Sequence, residues 1–153
     1  MQLVTIPLKM PTIWATNAAP GFKRTVPNAS QIGLVAGAAS FVDGFVPLNF
    51  TAVAAGGVPP FGQDMNGVLN QMTAWERWFQ AGGMLRYDGQ FQQGIGGYPA
   101  QARVGSANTP YLIWQSTVDN NLTNPDTGGA GWQTPLFPDI GTAGLTEIGR
   151  AHV

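Results

Sequence analysis

The 153-residue chain has no cysteine, and its only histidine is His152. Without cysteine there are no disulfides, thiolate nucleophiles or zinc–thiolate sites. The absence leaves the redox compartment open. One histidine beside the C-terminus leaves no nucleophile–base pair of the usual kinds. Charge is also scarce, at 10% of residues against about 25% in an ordinary soluble domain. Seven Lys and Arg stand against eight Asp and Glu, with no basic run. The electrostatic footprint of a nucleic-acid binder is therefore missing. The carboxylates Asp43, Asp64, Glu76, Asp88, Asp119, Asp126, Asp139 and Glu147 are scattered, and no spacing pairs two on one element. The runs Gly82-Gly83 and Gly94-Ile95-Gly96-Gly97 lack the strand–turn–helix setting of a nucleotide loop. These gaps point away from an enzyme, and no cofactor or metal is expected.

Long apolar runs are missing too. Gly44 to Gln63 carries no charge, but Pro47, Gly56-Gly57, Pro59 and Pro60 interrupt it. A membrane helix needs about 20 mostly apolar residues without a break, so no span is expected. The start, Met1-Gln2-Leu3-Val4-Thr5-Ile6-Pro7, has no basic region and no small-residue cleavage site, so no signal peptide is expected. What the chain does have is 21 Gly, 12 Pro, eight Phe, five Trp and three Tyr. Turn formers with large buriable rings predict a folded chain of irregular α+β class. So little charge predicts a surface largely covered by partners.

Residues 1–30 read as an extended docking arm. Pro7, Pro11, Pro20 and Pro27 block helix, and Ile6, Leu8, Ile13, Trp14 and Phe22 are isolated apolar anchors. Such a segment makes few contacts with itself. It is expected to be poorly ordered in isolation and to order along a neighbour. Residues 31–84 form a strand and helix region. Gln31–Ala36 and Leu48–Val53 are strand candidates, and Asp43-Gly44 between them is a turn signal for a hairpin or meander.

One amphipathic helix is expected over about 64–81, with Asp64 as its N-cap and Gly82-Gly83 as its stop. Met65, Val68, Met72, Trp75 and Phe79 recur at spacings of three and four, a short heptad seam, and Leu69 and Trp78 widen the stripe. The stripe either packs on its own domain or meets its copies in a parallel homotrimer. Two to three heptads do not hold a coiled coil alone, so a trimer would need flanking segments.

Residues 85–137 read as a small β module, with strand candidates Ala102–Val104 and Tyr111–Val118. Turn signals surround them at Tyr87-Asp88-Gly89, Asp119-Asn120-Asn121 and Asn124-Pro125-Asp126. Its rings Tyr111, Trp114 and Trp132 either form the module's core or stack on sugars. In one strand Tyr111 and Trp114 would lie on opposite faces. Residues 138–153 form a tail.

The run Ala54-Ala55-Gly56-Gly57-Val58-Pro59-Pro60-Phe61-Gly62-Gln63-Asp64-Met65-Asn66-Gly67-Val68-Leu69, followed by Trp78-Phe79-Gln80-Ala81-Gly82-Gly83, resembles the N-terminal region of tail fibre proteins of tailed phages and prophages. Val26–Gly33, Gly37–Ser40, Asp43–Leu48, Ile95–Pro99, Asp119-Asn120-Asn121, Asn124-Pro125 and Gly131-Trp132 fit the same family. The resemblance spans about residues 5–137. It implies a virion structural protein, made in the bacterial host cytoplasm and placed in the virion tail. The family's N-terminal part joins the fibre to other tail or baseplate proteins, and its members are usually trimeric. A distal receptor-binding part would lie outside this chain. The β module is also similar to small carbohydrate-binding modules. The alternative readings are therefore a carbohydrate-binding module or adhesin fragment, and an ordinary soluble interaction domain.

The last seven residues, Glu147-Ile148-Gly149-Arg150-Ala151-His152-Val153, depart from that pattern. Back-translated as GAG ATC GGA AGA GCA CAC GTC, they reproduce a common sequencing-adapter read whose next codon in frame is a stop. The match predicts a reading frame that leaves the gene after residue 146, with 147–153 foreign to the natural protein. Coincidence through codon degeneracy is the alternative.

Overall fold

The computed structural model describes residues 7–135. The tail, with the adapter-like segment and His152, lies outside the described residues. The architecture is irregular α+β: one main helix, a small three-stranded antiparallel sheet and many loops. The chain divides into two compact units, Met1–Gly83 and Met84–Val153.

The first unit is built on helix α1, Gly62–Gln80. It starts three residues earlier than the Asp64 cap predicts. The N-cap is Phe61, which has no capping side chain, and Asp64 lies inside the first turn. A carboxylate there suits the positive end of the helix dipole, but burial gives Asp64 another task. It is fully buried, forms a two-pronged ion pair with Arg24, and accepts the Ala39 amide at 2.8 Å. The helix thereby gathers two distant loops onto its first turn. It stops where the glycines predict. Gly82, at φ +82°, donates to the Phe79 carbonyl, and Gly83 donates to that of Trp78, a Schellman end.

Neither strand candidate of this unit forms. Gln31–Val35 closes into a turn, with the Leu34 and Val35 amides on the Gln31 carbonyl. Pro47–Phe50 and Val53–Ala55 are 3-10 turns. Gly33 and Gly37, at φ +80° and +79°, turn the chain where a strand would continue. Asn49 supplies the bonds that a ladder would have made. It accepts from the Val46 amide and donates to the carbonyls of Gly37 and Val58. The expected hairpin shrinks to one closed loop, in which Ser40 and Gly44 exchange amide bonds.

The second unit holds the sheet, in order β1 (Arg103–Gly105), β2 (Ile113–Ser116), β3 (Trp132–Gln133). Val104 pairs with Trp114, and Ser116 with Trp132. The second strand is shorter than its Tyr111–Val118 pattern because Tyr111 adopts φ +68°, outside extended geometry. The turn-dense stretch after Tyr87 contains a short helix that its glycines hide, α2 (Gly89–Gly94). Asp88 caps it, accepting from the Gln90 and Phe91 amides. The interior is unusually polar. Gln92, Ser106, Gln115, Ser116 and Asn121 are buried beside Tyr98 and Val104. Gln92 accepts from the Tyr87 hydroxyl and donates to the carbonyls of Asn121 and Thr123. Such groups are tolerated in a core when every one is bonded. Among the described residues, no buried side-chain polar atom lacks a partner, and no helix is long and apolar enough to cross a membrane.

Candidate assembly surface

Helix α1 carries two stripes of identical period. Asn66, Asn70, Thr73, Arg77 and Gln80 repeat at spacings of four and three, as do the apolar seam residues at three and four. At 3.6 residues per turn the stripes lie about 140° apart, on opposed faces. In heptad terms the seam occupies a and d, and the polar stripe occupies b and f, the outermost positions of a bundle.

The polar stripe holds the N-terminal arm, which runs antiparallel to the helix. Gln80 accepts the Met10 amide at 2.7 Å, and Arg77 donates to the Pro11 carbonyl at 2.6 Å. Thr73 accepts the Trp14 amide at 2.9 Å, and Asn70 donates to the Trp14 carbonyl. Asn66 donates to the Phe22 carbonyl and accepts from the Trp14 indole. Near the first turn the Arg24 amide reaches the Gln63 carbonyl. The helix has a glycine where the strand passes closest: a Cβ on Gly67 would lie 2.0 Å from the Arg24 carbonyl oxygen.

The arm therefore does not wait for another molecule to lie along, as its composition led us to expect. It binds its own helix, mostly through its main chain, and keeps several anchors outside. Leu8, Trp14 and Phe22 are exposed, while Ile13 is half-buried. The composition of the arm gave no sign of this. The signal was present in the helix, in polar residues at the same period as the seam.

The apolar stripe has no such cover. Met72 is 58% exposed, Trp75 49% and Phe79 48%; Met65 and Trp78 are similar, and Val68 is half-buried. Trp75 and Phe79 stack on each other, ring centres 6.0 Å apart. Among the described residues, the buried hydrophobic side chains of this unit are only Val26, Ala38, Ala39 and Val46. Most of its large apolar side chains are exposed, and Phe45, Phe61 and Leu69 are half-buried.

The three rings singled out for sugar stacking are not presented together. Cross-strand pairing puts Trp114 and Trp132 on the sheet face that carries buried Val104 and Ser116. Trp132 meets Tyr98 and Tyr87 edge-on at 5.6 and 6.2 Å, and Trp114 donates its indole proton to Asp126 at 2.8 Å. Tyr111 alone is fully exposed, in the loop joining β1 and β2.

The described Asp side chains mostly do structural work. Besides Asp64 and Asp88, Asp119 accepts the Ala100 amide. Hydrogen bonds from the Ser30 and Ser40 hydroxyls hold the exposed Asp43 carboxyl below its ordinary value. Burial pushes the Asp126 carboxyl up, but Ser106, the Trp114 indole and the Ala107 and Asn108 amides outweigh it and hold it low. Burial, with Tyr98 beside it, raises the Tyr87 phenol. Among the described residues, no group of three or more His, Cys, Asp or Glu could hold a metal ion. No protein-family model matches the chain, and no curated protein matches it.

Proposed function

We propose that this chain is a virion structural protein: the assembly-facing, N-terminal part of a phage tail fibre, which joins the fibre to other tail or baseplate proteins. The observation that carries the proposal is the unfinished state of the first unit. Its helix is strapped on one face and bare on the other, and its large apolar side chains outnumber its buried ones. Exposed apolar surface of this extent marks an interaction site. The charge-poor composition and the glycine–proline–phenylalanine run leading into α1 support the same reading. In it, the arm's outward anchors Leu8, Trp14 and Phe22 face the virion, and the protein has no catalytic task.

Mass spectrometry of purified particles from the source culture tests the proposal. Peptides from residues 7–135 are expected in the tailed-particle fraction, at a fixed ratio to other tail proteins. Their confinement to the particle-free supernatant would overturn it. The alternative carbohydrate reading retains one presented ring, Tyr111. Retention of the chain on a polysaccharide column, lost in Tyr111→Ala, would favour it over virion attachment.

A further inference from the structure

We infer that Asn66 is a site of self-modification: its side-chain amide condenses with the Gly67 backbone amide when α1 opens, and the product releases the arm between Trp14 and Phe22. Nothing in this chemistry depends on what the arm later meets.

Of the chain's asparagines, only Asn66 precedes a glycine. Glycine has no Cβ to shield its nitrogen from the preceding side chain, so this dipeptide cyclises most readily. The Gly67 nitrogen attacks the side-chain carbonyl carbon of Asn66. A C–N bond forms there, the bond from that carbon to Nδ2 breaks, and ammonia leaves with the Gly67 amide proton. Water then opens the five-membered imide at either carbonyl, which gives aspartate or isoaspartate at position 66.

Packing imposes the reactive pair. A Cβ at position 67 would lie 2.0 Å from the Arg24 carbonyl oxygen, so glycine is what admits the arm. The residue before it must offer an acceptor and a donor together. Asn66 accepts the Trp14 indole proton at 2.9 Å and donates to the Phe22 carbonyl at 2.8 Å. An indole only donates and a carbonyl only accepts, so these partners fix which way the amide points. The contacts that seat the arm thus install its own chemical weak point.

The helix holds the reaction off. Asn66 and Gly67 lie in the second turn of α1. Helical geometry commits the Gly67 amide to the Gln63 carbonyl, and attack needs that nitrogen free and the Asn66 backbone out of the helical region. An interior glycine loosens its turn, so the rate is set by how often the turn opens. The buried Arg24–Asp64 pair, one turn away, keeps it shut. Conversion then changes what the arm meets. The acid still accepts from the Trp14 indole, but it sets an oxygen against the Phe22 carbonyl where a donor stood. Isoaspartate also adds a carbon to the main chain, which the i→i−4 ladder cannot pass. The change does not reverse, because the amide nitrogen has left as ammonia.

The full chain, native or unfolded in urea, is incubated in mildly alkaline buffer, and peptide mass mapping reads each amide-to-acid conversion. In urea, Asn66 is expected to convert before every other asparagine. In the native chain it is expected to convert at least about tenfold more slowly. Trypsin reads the arm, with targets at Lys23 and Arg24 just beyond Phe22. In a sample partly converted in urea and refolded, chains cut there should be enriched in the acid at position 66 over intact chains. Asn66→Asp, which makes one product directly, should be cut several-fold faster than the wild type. Another asparagine converting first in urea would remove the site. Equal rates in native and unfolded chains would mean that α1 gives no protection. Equal conversion in cut and intact chains, or equal cutting of Asn66→Asp and wild type, would mean that the arm stays in place. Any one of these results would overturn the inference.

Discussion

The two units solve the same shortage of charge in opposite ways. The second closes its interior with hydrogen bonds. Gln92 ties α2 to the loop after β2, and Asn121 and Ser116 complete the polar network under the Tyr87, Tyr98 and Trp132 rings. The first closes almost nothing. Its buried hydrophobic side chains are small, and Trp14, Phe22, Phe41, Phe50, Met65, Met72, Trp75, Trp78 and Phe79 stay outside. A unit that satisfies its own polar groups and packs Tyr87, Tyr98 and Trp132 against one another can be stable by itself. A unit held by one buried ion pair and a hydrogen-bonded strap depends on whatever covers its bare surfaces. The difference agrees with the proposal that the first unit carries the assembly surface.

The strongest way to break this contrast is to remove the pin of the first unit. Asp64→Ala leaves Arg24 and the Ala39 amide without their acceptor. Breaking a buried pair costs about 3–5 kcal/mol, and Arg24 is 27% exposed, so the low end is expected. Hydrogen exchange should show lost protection in α1 and in residues 24–40, with the sheet unchanged. Loss of protection in both units together would refute their independence. The matching test in the second unit is Gln92→Leu. It leaves the Tyr87 hydroxyl without its acceptor and takes one of two donors from each of the Asn121 and Thr123 carbonyls, which keep the Tyr98 amide and the Trp132 indole. Unsatisfied buried groups cost about 1–3 kcal/mol each. With partial relaxation we expect about 2 kcal/mol, read as an earlier urea midpoint in the near-ultraviolet signal of the aromatic cluster.

The features legible in the sequence were those set by local chemistry. The helix showed through its seam and its glycine stop, and β1 and β2 through their short apolar runs. The strand candidates of the first unit failed because Gln31–Ala36 and Leu48–Val53 have strand composition but no partner edge. Glycines at positive φ and the Asn49 side chain decide their course instead. Asp64 reads as a cap in the sequence because a cap is a local role. Its bonds to Arg24 and Ala39 are 40 and 25 residues away in sequence. The strap on α1 is hidden in the sequence for a related reason. Polar residues at a helical period read as a solvated face until an extended segment is found to run along them. The seam residues were legible as a set, and the structure places them on one uncovered face.

A milder perturbation sharpens the contrast within the first unit. Each strap bond is largely exposed and is worth about 0.5–1.5 kcal/mol. Asn70→Ala with Arg77→Ala should therefore release residues 10–18 without unfolding α1. Limited proteolysis should cut the arm faster, while helicity by circular dichroism stays constant. A protease-resistant arm in the double variant would show that side-chain burial, rather than main-chain bonding, holds it.

The smallest expected effect is acid sensitivity of the loop between β1 and β2. Asp126 accepts the Trp114 indole and the Ala107 amide, both at 2.8 Å. Its carboxyl is held below the ordinary value of 3.8. A depressed folded value means that the charged form is favoured in the folded state. Its stabilisation is complete above 3.8 and is lost as pH falls through the lower folded value. The second unit should thus keep constant stability down to about pH 4 and weaken only below it. Asp43 titrates in the same acid range, but it belongs to the first unit and is bonded by the Ser30 and Ser40 hydroxyls there. The two are separated by following the Trp114 indole proton by NMR. Its shift should move with Asp126 protonation and should not respond to Asp43→Asn. Asp126→Asn keeps one acceptor and removes the charge, so the acid slope of the second unit should flatten at a cost of about 1 kcal/mol or less at neutral pH. An unchanged acid slope in that variant would mean that another carboxylate sets the acid limit, and that the polar closure of the second unit does not depend on Asp126.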